Sequence, residues 1–129
     1  MPTYLLGLGS NIRPDTHLKA ALSLLQQHML VIAQSPMVDT TPVGDTFSFE
    51  FKNQLVVVES PLNESDLKQQ LLGMEERLGR EPKSYARQFR DRPIDIDILA
   101  SGDSLQQCLN EELEESYYAS VQQAWLTAC

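Results

Sequence analysis

The segment Arg92-Pro93-Ile94-Asp95-Ile96-Asp97-Ile98-Leu99 holds the residues with the most evident capacity for chemistry. Isoleucine and aspartate alternate with the period of a strand, so Ile94, Ile96 and Ile98 point to one face and Asp95 and Asp97 to the other. At a rise of ~3.3 Å per residue the two aspartates stand ~6.5 to 7 Å apart at their Cα atoms. That spacing lets them share hard divalent cations such as magnesium without bonding each other. The same pattern also describes an ordinary edge strand with a solvated polar face, since Asp is depleted in strands but not excluded. The arginine directly ahead of the pair favours the cation-binding reading.

The charge distribution points the same way. The chain has 129 residues and a formal net charge of −8, which argues against nucleic acid or an anionic membrane surface as the main partner. Six of the ten Lys and Arg residues (Arg77, Arg80, Lys83, Arg87, Arg90 and Arg92) fall between positions 77 and 92, where the acids are Glu81 and Asp91. This local +4 leaves −12 for the remainder. A basic segment on so acidic a chain reads as a solvated hinge or as an anion receptor. Its place directly before the aspartate strand favours the receptor, with phosphate as the anion.

The elements that must hold these groups follow from hydropathy. Thr3 to Leu8 reads as a short buried strand ending at Gly9-Ser10-Asn11. A helix is expected from Asp15, entered through Pro14, with Leu18, Leu22, Leu25 and Met29 as its apolar stripe. Met29 to Val38 reads as a second strand, Thr40 to Gly44 as a loop, and Phe51 to Glu59 as a third strand. A second helix starts at an Asn63 cap with Asp66 in the capping-box position, runs through Leu67, Leu71, Met74 and Leu78, and stops at Gly79. The aspartate strand spans Ile94 to Ala100, and Asn110 to Leu126 reads as an acidic helix or a disordered tail. The order strand, helix, strand, strand, helix, strand is the α+β, ferredoxin-like β-α-β-β-α-β pattern: an antiparallel sheet with helices on one face.

A hydrophobic content of 42% fits one domain over residues 1–129. No basic leader precedes an apolar stretch, and no apolar run approaches ~20 residues, so a cytoplasmic protein is expected, with no membrane partner. Cys108 and Cys129 match neither a disulfide framework nor a zinc site and read as incidental thiols. His17 and His28 lie outside any ligand spacing and read as surface residues.

Four signals taken together resemble the 6-hydroxymethyl-7,8-dihydropterin pyrophosphokinase family. They are Leu8-Gly9-Ser10-Asn11, Thr40-Thr41-Pro42-Val43-Gly44, Glu75 four residues ahead of Gly79-Arg80, and Arg92 leading into Asp95-x-Asp97. The resemblance covers residues 3–102, leaving 103–129 as a divergent tail. It implies Mg-dependent transfer of pyrophosphate from ATP to a pterin in folate biosynthesis, with ATP as co-substrate and two Mg2+ ions. Asp95 and Asp97 would be the metal ligands and, with Arg92, the catalytic set. Arg80, Arg87, Phe89, Arg92, Ile98 and Tyr117 would line the nucleotide site. Thr40, Thr41, Val43, Phe51 and Asn53 would form the pterin site, Asn53 pairing with the amide edge and Phe51 stacking on the ring.

The tail departs from the family pattern. Ser116 stands where the family has histidine, Gln122 where it has arginine and Ala124 where it has a stacking phenylalanine, and Pro82 replaces the arginine that usually follows Gly-Arg. Two functional classes are therefore carried forward. One is a minimal pyrophosphokinase whose basic segment compensates for the missing tail groups. The other is an impaired paralogue that acts as a nucleotide- or pterin-binding or protein-interaction module.

Overall fold

The computed structural model describes residues 1–40, 51–80, 93–113 and 116–128. Strand β1 (Thr3–Ser10) lies between β4 (Phe51–Glu59) and β5 (Asp95–Gly102), and β2 (Leu30–Gln34) pairs with the far side of β4. The sheet order is β2-β4-β1-β5, every pairing is antiparallel, and a short β3 (Val38–Thr40) also pairs with β4. Helix α1 (Pro14–His28) connects β1 to β2, and α2 (Glu64–Arg77) precedes β5. This is the expected ferredoxin-like arrangement.

Both of these helices lie on one face of the sheet, as their stripes require. Leu18, Leu24 and Leu25 of α1 and Leu67, Leu71 and Met74 of α2 join Leu6, Leu8, Val56, Val58, Ile94 and Ile96 in one buried cluster. Each such side chain contributes roughly 1.5–3 kcal/mol of burial free energy. The opposite face is not left open. Two C-terminal helices, α3 (Leu105–Leu109) and α4 (Ser116–Ala128), bring Cys108, Tyr118, Val121 and Trp125 onto Leu5, Leu55 and Val57. A segment that reads as one acidic helix or a tail therefore forms a second cover, and a third layer. Cys108 is buried there, its thiol directed at the Thr3 carbonyl at 3.6 Å.

The single strand expected over Met29 to Val38 is broken into β2 and β3 around Pro36, which has no N–H for the ladder. Ser35 bridges the break. Its N–H donates to the Leu55 carbonyl, and its Oγ accepts from Leu55 N–H at 2.8 Å. Helix α2 is capped as its sequence requires, with Asn63 Oδ1 accepting from Asp66 N–H at 2.8 Å. Among the described residues no helix is long and apolar enough to cross a membrane.

The end of α2 matters most for the site. Gly79 has φ +100°, a region that L side chains avoid, and so reverses the chain. Arg80 N–H then reaches the Glu75 carbonyl at 3.0 Å and Gly79 N–H the Glu76 carbonyl at 3.1 Å, which together form a Schellman motif. This turn brings Arg80 back beside Glu75. Gly79→Ala is expected to lower stability by about 1–2 kcal/mol, read as a lower Tm by circular dichroism.

Candidate functional site

The register of β5 against β1 builds the site. Asp95 lies opposite Gly9 and Asp97 opposite Gly7, while Asn53 and Leu55 of β4 flank the same two glycines from the other side. Two rows therefore cross the sheet, Asn53–Gly9–Asp95 and Leu55–Gly7–Asp97. Since Leu5, Leu55 and Val57 of these alternating positions face α4, the aspartates stand on that face, with Ile94 and Ile96 buried beneath α1 and α2. The glycines leave a floor without side chains between Asn53 and the carboxylates.

Tyr118 lies over this floor. A Cβ at Gly7 would come within 2.5 Å of Tyr118 Cζ and 2.9 Å of Leu99 Cδ1, so only glycine admits the ring. The phenol reaches Asp97, donating to Oδ2 at 3.4 Å. Burial and the two nearby carboxylates push its pKa well above the ordinary tyrosine value, so it remains a donor. Tyr117, expected from the resemblance to border the nucleotide, is the neighbouring residue. It is half-buried, its ring centroid 4.6 Å from that of Tyr118, and packs against the Leu5–Trp125 cluster. Helical phase carried the distinguishing signal: Tyr118, Val121 and Trp125 share one stripe at spacings of three and four.

The aspartates are closer than their strand spacing suggests. Side chains projecting from positions 95 and 97 are expected not to touch, yet the two carboxyls hydrogen-bond each other. Asp97 is pushed up to about 8, first by burial, then by the charge of Asp95 and its hydrogen bond, and further by Glu75, with Arg80 acting in the opposite sense. At neutral pH the pair therefore holds a proton where a cation could stand.

A second buried network orients Asp95. Arg80 Nη1 donates to Asp95 Oδ1 at 2.6 Å and to Glu75 Oε2 at 3.1 Å, with the Arg80 and Glu75 side chains 5% and 1% exposed. The same Glu75 oxygen accepts from Ile96 N–H at 2.7 Å. One carboxylate thus anchors the backbone between the two aspartates. Glu75 is buried because it shares the α2 stripe of Leu71, Met74 and Leu78. A cleft of about 290 Å³ runs between α2 and the outer edge of β5, lined among others by Lys68, Glu75, Asp95, Asp97 and Ile98.

Of the residues selected from the sequence, the fold brings Asn53, Asp95 and Asp97 to one face, with Arg80 paired to Asp95. Asn53 is 2% exposed. Phe51, half-buried, begins β4 and pairs through its backbone with Thr40 at the end of β3. Ile98 packs on the α1–α2 side and so lies on the face opposite the aspartates. Thr41, Val43, Arg87, Phe89 and Arg92 lie outside the described residues. In the tail, Gln122 Nε2 donates to the carbonyls of Leu109 and Glu111 at 3.0 and 2.7 Å, tying the α3–α4 connection. Among the described residues no group of three or more His, Cys, Asp or Glu is arranged to hold a metal ion. A cation on Asp95 and Asp97 would therefore draw its remaining ligands from water or from a bound anion.

Fold and site together define an α+β, ferredoxin-like domain that presents a paired carboxylate beside a polar strand residue. Residues 5–123 match the family model described as 7,8-dihydro-6-hydroxymethylpterin-pyrophosphokinase (HPPK), and the chain belongs to that family. It is 38% identical over 102 residues to a 2-amino-4-hydroxy-6-hydroxymethyldihydropteridine pyrophosphokinase of Porphyromonas gingivalis, a match covering 77% of this chain and 69% of that protein. It is 35% identical over 99 residues to the Bacillus subtilis protein of the same name, covering 73% of this chain and 56% of the relative. The chain also superposes on a Plasmodium falciparum HPPK-DHPS structure with a TM-score of 0.49 and 15% identity, covering 97% of this chain and 36% of that one.

Two outcomes follow from this geometry. Gly7→Ala should cost roughly 1–3 kcal/mol by driving a methyl group into the Tyr118 ring, and Tyr118→Leu in the same chain should cancel part of that cost. Chemical denaturation of the single and double variants measures both. The second outcome concerns pH. Because the folded chain holds the Asp97 proton up to about 8 while the unfolded chain releases it near the ordinary aspartate value, the folded state binds more protons in between. Metal-free stability should therefore fall as pH rises from about 4 to about 8. Asp97→Asn should be more stable than the parent at the upper end, with the gap closing toward the lower end, read by thermal melts across that range.

Proposed function

We propose that this chain transfers pyrophosphate from ATP to 6-hydroxymethyl-7,8-dihydropterin, with Asp95 and Asp97 holding Mg2+ against the triphosphate. The observation that carries this reading is the carboxyl pair held in contact across a side-chain-free floor from Asn53. The donor set suits a hard cation, because two half-buried carboxylates with one proton between them present excess negative charge that a divalent ion would balance. Bound magnesium supplies charge neutralisation and alignment of the phosphates.

The protein's own groups have distinct parts in this reading. Asn53, carrying both donor and acceptor, pairs with the amide edge of the pterin, and Phe51 offers a ring face at the start of the same strand. Thr40, Thr41 and Val43 complete the pterin pocket, and Arg80, Arg87, Phe89, Arg92, Ile98 and Tyr117 border the nucleotide. Tyr118 joins them by holding Asp97 through its hydroxyl. In the transfer step the pterin hydroxyl oxygen forms a bond to the β-phosphorus as the bond to the α–β bridging oxygen breaks. AMP leaves with that electron pair, and the hydroxyl proton passes to water. Little covalent participation is asked of the protein, and positioning and electrostatics supply the rate.

A second reading, ligand binding without turnover, draws on Gln122. The side chain standing in the family's arginine position is committed to the α3–α4 connection. Incubation of the purified chain with ATP, magnesium and the hydroxymethyl pterin separates the two. Pterin-dependent AMP is expected, and Asp97→Ala should reduce it by roughly 10²- to 10³-fold. Equal AMP from the two proteins would end the enzyme reading.

A further inference from the structure

Glu75 is the most deeply buried acid of the described chain, and its contacts are unusual in their convergence. A single oxygen, Oε2, accepts both from the backbone N–H of Ile96, the residue between the two aspartates, and from Arg80 Nη1. The same Arg80 nitrogen donates to Asp95 Oδ1, and Arg80 Nε is buried with no partner among the described residues. One guanidinium nitrogen is thus divided between a helix carboxylate and a strand carboxylate.

We propose that Glu75 is a positioning residue that acts on Asp95 through Arg80, drawing part of the guanidinium's charge away and so setting how strongly Arg80 competes with a divalent cation for that aspartate. This rests on the metal-dependent reading above. A cation approaching Asp95 must displace or weaken its 2.6 Å contact with Arg80. With Glu75 in place, Arg80 retains a buried partner when Asp95 turns to the cation. Without that partner the guanidinium, which cannot lose its proton, has Asp95 as its main countercharge and holds it more tightly. The Schellman turn at Gly79 fixes the arrangement, because it returns Arg80 to within reach of Glu75 whatever occupies the site.

The test uses the full chain and Mn2+ alone as the probe, with free ion counted by electron paramagnetic resonance and the fold checked by circular dichroism. Glu75→Gln keeps the size of the side chain and an acceptor for Ile96 N–H. It should weaken Mn2+ binding roughly 10-fold or more, within the range of residues that orient metal ligands. Glu75→Gln combined with Arg80→Met removes the competitor and should restore wild-type affinity to within about twofold. Glu76→Gln removes the same charge from an exposed position of the same helix, outside the cleft lining, and should leave affinity unchanged. The proposal is overturned if Glu75→Gln binds like the parent, if Glu76→Gln is equally weak, or if the double variant stays weak. A Glu75→Gln chain that loses its fold would also overturn it, since Glu75 would then serve the core alone. Absence of Mn2+ binding by the parent protein would instead sink the metal-dependent reading itself, and this inference with it.

Discussion

Two carboxyl groups pressed into contact, one of them keeping its proton to about 8, form the constraint around which this structure is arranged. Like charges at that range repel, and burial makes the charged forms costlier still. The fold sustains the arrangement from several directions. Arg80 compensates Asp95, Glu75 fixes the backbone between the two acids, and Tyr118 donates to the second. None of these groups removes the excess negative charge. A site that remains one positive charge or more short of balance is prepared for a cation.

The supporting scaffold uses small residues where approach is needed and a turn where direction is needed. Gly7 and Gly9 let an aromatic ring and an amide lie almost on the sheet, opposite the acids. Gly79 redirects the chain so that the side chain following α2 returns to the helix it has left. The pair of helices on one face makes the larger core, and α3 and α4 make the other face dry enough for the tyrosine–aspartate contact to persist.

Much of this is legible in the residues themselves. The Asn63 cap, the stop at Gly79, the strand Phe51–Glu59 and the shared face of Asp95 and Asp97 each follow from a local rule, and local rules survive folding. What the residues conceal depends on neighbours distant in the chain. Strand spacing gives the separation of two Cα atoms but not the bending of their side chains toward each other, with Arg80 held on the first of them. A helix carboxylate such as Glu75 reads as solvated until a strand edge is placed against it. The break at Pro36 appears only once Ser35 is seen to take over a ladder bond from Leu55. The covering role of α4 was masked by the acids ahead of it, although the stripe of Tyr118, Val121 and Trp125 was present.

The claim that the aspartate pair is a preformed cation receptor is tested most directly by carboxyl carbon NMR of aspartate-labelled protein, titrated with and without magnesium and a non-hydrolysable ATP analogue. The account predicts an Asp97 resonance that titrates near 8 in the metal-free chain and no longer titrates there once metal and nucleotide are added. An Asp97 that titrates in the ordinary aspartate range under both conditions would contradict it.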